Sequence, residues 1–147
     1  MSKQSILNRQ DFKFFLPIST RWADNDIYGH INNVVYYSFF DTAVNHFLIH
    51  QAGLDIHHGN TIGLVVDSGC SYFAPLAYPE RITAGVRVIK LGNSSVQYQV
   101  GLFKEDENQA SAQGHFVHVY VDRESRKPQT LPAPMRTALE TLTVNDQ

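Results

Sequence analysis

One cysteine, Cys70, and one tryptophan, Trp22, are all that the 147 residues contain of either type. A lone thiol closes no intramolecular disulfide and supplies no paired metal-binding cysteines, so a reducing, cytoplasmic setting is expected. An excess of charge is also missing: 12 Lys and Arg stand against 14 Asp and Glu, a formal net charge of −2. That balance has no electrostatic footprint for nucleic acid or for an anionic membrane, so neither is expected as a partner. No apolar run approaches the roughly 18 residues of a membrane span. The opening stretch MSKQSILNRQDFKFF lacks the apolar core and small-residue cleavage site of a signal peptide. Repeats, low-complexity tracts and Gly/Ser/Pro linkers are absent too, which points to one domain over residues 1–147.

Hydrophobic residues make up 43% and aromatics 12%, while charged residues reach only 18%. A surface so poor in charge is expected to be partly covered by another subunit. A chain of this length buries about two-thirds of its unfolded surface, so folding requires no metal and no disulfide.

Residues 12–22, FKFFLPISTRW, read as a first strand in which Pro17 suits a sheet edge. The next stretch, ADNDIYGHINN, is a loop by its Asp, Asn and Gly content. From Asn33 to Gln51, Tyr36, Phe40, Ala43, Val44 and Phe47 recur at three- and four-residue spacing, which predicts a helix. Asn32 or Asn33 suits its N-cap and Gly53 its end. Four strand-like runs follow at about 61–74, 80–91, 95–105 and 109–122, with clear period-two alternation in the second and third. Antiparallel strands in sequence-adjacent hairpins, wrapped as a curved sheet around the helix, are the expectation. A short second helix is placed at about 133–142.

The loop before the helix is the place for chemistry. Between Ala23 and Asn33 lie two carboxylates, three Asn, Gly29 and His30, immediately before helical amides. The first amides of a helix have no internal partner, and its dipole puts about half a positive charge there. Such a group stabilises an oxyanion better than a neutral carbonyl. Gly29 admits a positive φ or a close ligand. Either Asp24 or Asp26 could attack an acyl carbon or activate water. Caps and turn formers have the same composition, so spacing alone does not separate the two readings.

DNDIYGHINNVVYYSFFD, residues 24–41, resembles the signature of the 4-hydroxybenzoyl-CoA thioesterase family, within the hotdog-fold superfamily. SYFAPLAYPERITAGVRVIKLGNSSVQYQV and HFVHVYVDRESRKPQTLP resemble its later strands and tail, so the likeness spans about residues 12–135. The resemblance implies an α+β hotdog: a five-stranded antiparallel sheet around a long central helix, dimerised edge to edge and often paired again into a tetramer. It implies acyl-CoA thioesters as substrates, with no metal or cofactor. It puts the catalytic carboxylate on Asp26 and the oxyanion contact on backbone amides from Gly29 to Asn33, with His30 in the same segment. Ile27 stands where some members have Pro. Together with His30 and the two Asn before the helix, it is closer to acyl-CoA and acyl-carrier thioesterase branches than to the aromatic-acyl enzyme.

Other residues are weighed against blander roles. His115 and His118, three apart on a strand, point to opposite faces and cannot share a metal. His46 and His50 have helical spacing but no third ligand, and His57 and His58 suit a solvated loop. His30 could orient the loop, line the acyl channel or transfer a proton. Ser94 and Ser95 lack a nucleophile elbow and suit a turn or a pantetheine contact. Asp41 is either exposed or turned toward a partner subunit. Arg81, Arg87, Lys90, Arg123, Arg126 and Lys127 flank strands that should border the cleft, and are expected to meet the phosphates of CoA. Two competing functions remain. An enoyl-thioester hydratase or dehydratase of the same fold is disfavoured by the missing Pro and the four-residue step from Asp26 to His30. A non-catalytic thioester-binding module is the other.

Overall fold

Ile82, Ala84, Val86 and Val88 all turn one way and are buried, while Arg87 turns the other. This alternation continues across the sheet of a computed structural model that describes residues 5–144. The first four and last three residues of the expected 1–147 span lie outside the described residues. The elements are β1 (Phe14–Ile18), α1 (Asn33–His50), β2 (Thr61–Tyr72), β3 (Ile82–Leu91), β4 (Ser95–Lys104), β5 (Ala112–Asp122) and α2 (Ala133–Glu140). All five strands form one antiparallel sheet in the order β1-β3-β4-β5-β2.

Two expectations change. Only β3, β4 and β5 are joined as sequence-adjacent hairpins; β2 crosses to the far edge and pairs with β5, from Thr61 opposite Asp122 to Tyr72 opposite Ala112. The first strand is five residues long rather than eleven, because the backbone leaves the edge after Ile18 and makes a 3₁₀ turn at Trp22–Asp24. Pro17 lies in that edge strand, where its missing N–H costs the ladder little.

Helix α1 begins where Asn32 caps it, its side chain accepting from the Val34 amide at 3.0 Å. Gly53 follows the helix at φ +73°. Between them, Phe39, Phe40, Ala43, Val44, Phe47 and Leu48 pack against Val86, Val88, Tyr98, Val100 and Phe116 of the sheet. Burial of each such Phe, Leu or Val contributes about 1.5–3 kcal/mol. The described architecture is thus a five-stranded sheet with one helix laid on a face and α2 closing an end through Met135 and Leu139.

Phe40 marks the closest seat of α1 on the sheet. Gly114 on β5 lies beneath it, and a Cβ there would collide with the Phe40 ring and stand 2.7 Å from the Gly69 carbonyl oxygen of β2. A second small cluster, Phe12, Phe103 and Ala110, covers the outer face.

Candidate active site

Residues 20–32 are held against the sheet end by three cross-links. Thr20 Oγ1 donates to the Glu80 carbonyl (3.0 Å), the Ile31 amide donates to the Leu76 carbonyl (2.7 Å), and the Tyr78 amide donates to Asn25 Oδ1 (3.0 Å). Within the loop, the Asp26 amide donates to the His30 carbonyl and the Asn32 amide to the Asp24 carbonyl, closing a small antiparallel turn around Asp26. Gly29, at φ +82°, makes that turn possible, since a side chain is strained in this region.

The two carboxylates of this loop differ sharply. Asp24 is 1% exposed; it accepts from the Arg21 amide at 2.8 Å and from the Arg21 guanidinium at 3.0 Å. Asp26 is half-buried, and its Oδ1 accepts from the Tyr28 amide at 2.9 Å. It borders an open depression of about 510 Å³ lined by Trp22, Ala23, Asn25, Asp26, Ile27 and Gly29. Below it, the Tyr36 hydroxyl is shifted upward, chiefly by burial, with the charge of Asp26 among the smaller contributions.

The amides of the expected oxyanion segment are partly committed. Gly29 donates to the Asp26 carbonyl, Ile31 to Leu76, and Val34 to the Asn32 side chain. Among the described residues, the amides of His30 and Asn33 have no such partner. The His30 side chain is exposed.

The remaining candidates are divided between two ends of the sheet. Ile18, Ile82, Lys104, Ala112 and Tyr72 share one end with the Asp26 loop, and Tyr72 Oη donates to the Asn33 carbonyl at 3.3 Å. Arg81 is at this end, 3.8 Å from Glu105 and largely solvated. Ser94, Ser95 and Lys90 lie at the other end of β3 and β4. Lys90 is eight residues from Ile82, about 26 Å at strand rise. Arg123, Arg126 and Lys127 follow β5 at that same far end. A single copy therefore does not bring this set together around Asp26.

Two of the arginines have structural partners. Arg87 donates to Gln99 Oε1 at 2.8 Å and stacks over Phe12 on the outer face. Arg123 donates to the carbonyls of Gly59 (2.7 Å) and Ile56 (2.8 Å). Arg126 and Lys127 are exposed.

The histidines follow the face argument. His115 lies 3.1 Å from Asp67 Oδ2, while His118 is buried on the core face. Among the described residues, no three His, Cys, Asp or Glu side chains are grouped to hold a metal, and no helix is long and apolar enough to cross a membrane. Sequence reasoning missed the surroundings of His118. A cavity of about 240 Å³ between α1, β2 and β5 is lined by Asp41, Asn45, Leu48, Ile62, His118 and Tyr120, among others. The alternation Phe116, His118, Tyr120 was the available signal, a polar ring in a run of core-facing aromatics.

Residues 20–139 match the model of the thioesterase-like superfamily. The PA5185 protein of Pseudomonas aeruginosa strain PAO1 has a solved structure that is 56% identical, with 97% of this chain and all of that one covered at a TM-score of 0.94. A thioesterase from Thermus thermophilus, crystallised with coenzyme A and zinc, is 24% identical (87% and 98% covered, TM-score 0.72). A 1,4-dihydroxy-2-naphthoyl-CoA thioesterase from Synechocystis is 20% identical (88% and 96% covered, TM-score 0.79). The last two likenesses are of fold.

Proposed function

Because the chain belongs to the thioesterase-like superfamily, we propose that it hydrolyses an acyl-CoA or acyl-carrier thioester, with Asp26 as the catalytic carboxylate. The observation that carries this reading is the asymmetry of the loop. Asp24 is buried and tied to Arg21, whereas Asp26 opens onto the depression, and two amides without a backbone partner, those of His30 and Asn33, follow it in the loop and at the start of α1. Asp26 either attacks the acyl carbon, releasing the thiol and leaving a mixed anhydride for water to cleave, or takes a proton from the attacking water. In both cases the carbonyl oxygen gains negative charge, and the His30 and Asn33 amides with the helix dipole are the groups proposed to stabilise it. No cofactor enters the scheme.

The proposal extends to assembly: one hotdog domain over 1–147, with α1 as its central helix, acting as a homodimer or homotetramer. β2 is an edge strand twelve residues long, and Leu64, Val65 and Val66 on it are exposed. An uncovered edge of this kind pairs with another strand. Antiparallel pairing of β2 with its copy would set the far end of one sheet against the near end of the other. That arrangement brings Arg126 and Lys127 of a second copy toward the Asp26 loop, reuniting residues that one copy holds apart. The coenzyme A bound by the Thermus thermophilus protein supports a CoA thioester as substrate.

The test is free-thiol release from a panel of short, long and aromatic acyl-CoAs and acyl-carrier thioesters. Turnover by the intact protein, lost in Asp26→Asn, is the expected result. An absence of turnover across the panel would remove the reading.

A further inference from the structure

We infer that His46 and His50, in the last two turns of α1, form a two-imidazole clamp for a divalent transition-metal ion of the zinc, nickel and copper class, at a site separate from the Asp26 loop.

Residues four apart on a helix lie one above the other on the same face. The two imidazoles follow this rule: their ring centroids are 4.3 Å apart and their planes are tilted by 43°. An ion held by two imidazole nitrogens at about 2.0–2.1 Å keeps the ring centroids about 4.5–5 Å apart. The rings therefore stand within about an ångström of the separation that chelation needs.

One ligand is held in place beforehand. His46 is half-buried, and Phe14 of β1 stacks beside its ring, with centroids 6.3 Å apart and planes 29° apart. Phe14 is itself seated edge-on against Phe47 at 5.1 Å. His50, one turn further along, is exposed and meets ions arriving from solvent. Among the described residues, neither ring has a hydrogen-bond or ion-pair partner, in contrast to His58, His115 and His118. A neutral imidazole keeps one nitrogen lone pair, so each ring has a donor that the protein leaves uncommitted.

The helix end favours the charge. α1 stops at His50, and the last carbonyls of a helix carry about half a negative charge, which attracts a cation. Imidazole nitrogen selects zinc, nickel and copper, whereas magnesium and calcium prefer oxygen. Water fills the remaining coordination positions, so two side chains suffice for an exchangeable ion.

The position keeps this ion away from the thioester. His46 lies thirteen residues beyond Asn33, about 20 Å along the helix axis. Its neighbour β1 is the edge of the sheet opposite β2, so a second copy pairing through β2 leaves the clamp open. An ion bridging the last two turns binds the folded helix and stabilises the chain as its free concentration rises.

Isothermal titration of Zn²⁺, Ni²⁺ and Cu²⁺ into the full chain at neutral pH tests the clamp, with Mg²⁺ as the control. One ion per chain is expected, in the micromolar range, with Cu²⁺ tightest and Mg²⁺ silent. Loss of a group that only orients a ligand costs about 10–100-fold in metal affinity, and loss of a ligand costs at least as much. His50→Gln and His46→Phe, which keeps a ring against Phe14, should therefore each weaken Zn²⁺ binding at least about tenfold. Changing His57 and His58 together to Gln should leave the affinity unchanged. Zn²⁺ should also raise the Tm of the parent chain and not that of His50→Gln. Because His50 is exposed, that variant decides the matter if His46→Phe does not fold. Zn²⁺ binding that survives His50→Gln, that disappears with His57 and His58, or that is no tighter than binding to free imidazole overturns the inference.

Discussion

Asp24 and Asp26 stand two residues apart on one loop and face opposite environments. The first is closed off by its own Arg21, and the second faces the open depression lined by Trp22, Ile27 and Gly29. A buried carboxylate that accepts a backbone amide fixes the loop. A half-exposed one with an oxygen outside that network is available to a reacting carbon.

Replacing Asp26 by Asn keeps its size and removes its charge. Turnover is expected to drop at least about a hundredfold, the scale of a lost general base, with KM little changed. Thiol release under saturating substrate measures it. Near-normal turnover in Asp26→Asn, with loss in Asp24→Asn, would reverse the two roles.

Asp24 should appear in stability instead. Its side chain is 1% exposed while that of Arg21 is 74% exposed, so the ion pair itself is mostly solvated. Arg21→Ala is expected to cost under about 1 kcal/mol. Asp24→Ala also strands the Arg21 amide and should cost about 1.5–3 kcal/mol. Denaturant midpoints of the two variants would distinguish them, and equal losses would contradict this account.

Stability should also fall as pH drops from about 6.5 toward 4. His118 is neutral in the fold, with its pKa pushed down to about 4 by burial, while the unfolded ring titrates near 6.5. The unfolded state therefore binds the extra proton in this window, and stabilisation present above pH 6.5 is lost as pH falls. The full loss is roughly 3 kcal/mol at about 1.4 kcal/mol per pH unit. Tyr98, Tyr120 and Asp41 are the other titratable groups around the ring. His118→Phe should flatten the slope relative to the parent in parallel pH-denaturation series; an unchanged slope would assign it to carboxylates elsewhere.

The basic residues should separate by structural commitment. Arg126→Ala and Lys127→Ala should raise KM for acyl-CoA several-fold with kcat little changed. Both should match the parent on a pantetheine thioester lacking the nucleotide. Arg87→Ala and Arg123→Ala, which lose contacts to Gln99 and to the Gly59 and Ile56 carbonyls, should lower Tm first.

A charge on the open edge should break the assembly. Val66, 60% exposed at the irregular point of β2, is the place for Lys. The parent chain is expected to be at least a dimer by light scattering at micromolar concentration, and Val66→Lys to dissociate it with loss of turnover. A fully active monomer would defeat the edge-pairing scheme.

Most of the scaffold was legible because its signals are local. Three- and four-residue spacing marked α1 to within a residue of its observed end, and alternation marked β3 and β4. The position of β2 was not legible, since pairing with β5 rather than β3 depends on contacts about fifty residues apart in sequence. Composition gave the Asp24–Asn33 loop as the chemical segment but left its two carboxylates equivalent. Their difference comes from the 3₁₀ turn that folds Arg21 back onto Asp24. The polar cavity wall escaped because a histidine among core-facing aromatics was weighed only as a metal ligand.

Gly114 has a mechanical consequence of its own. With Phe40 resting directly over it, the height of α1 above the sheet is set there by the absence of a single carbon. An alanine would act as a shim, lifting the helix at Phe40 and with it Asp41 and Asn45, one and five residues further along. The roof of the gallery between helix and sheet would rise while every residue lining it stayed the same. Position 114 is thus a lever on the size of that gallery, operated from outside it.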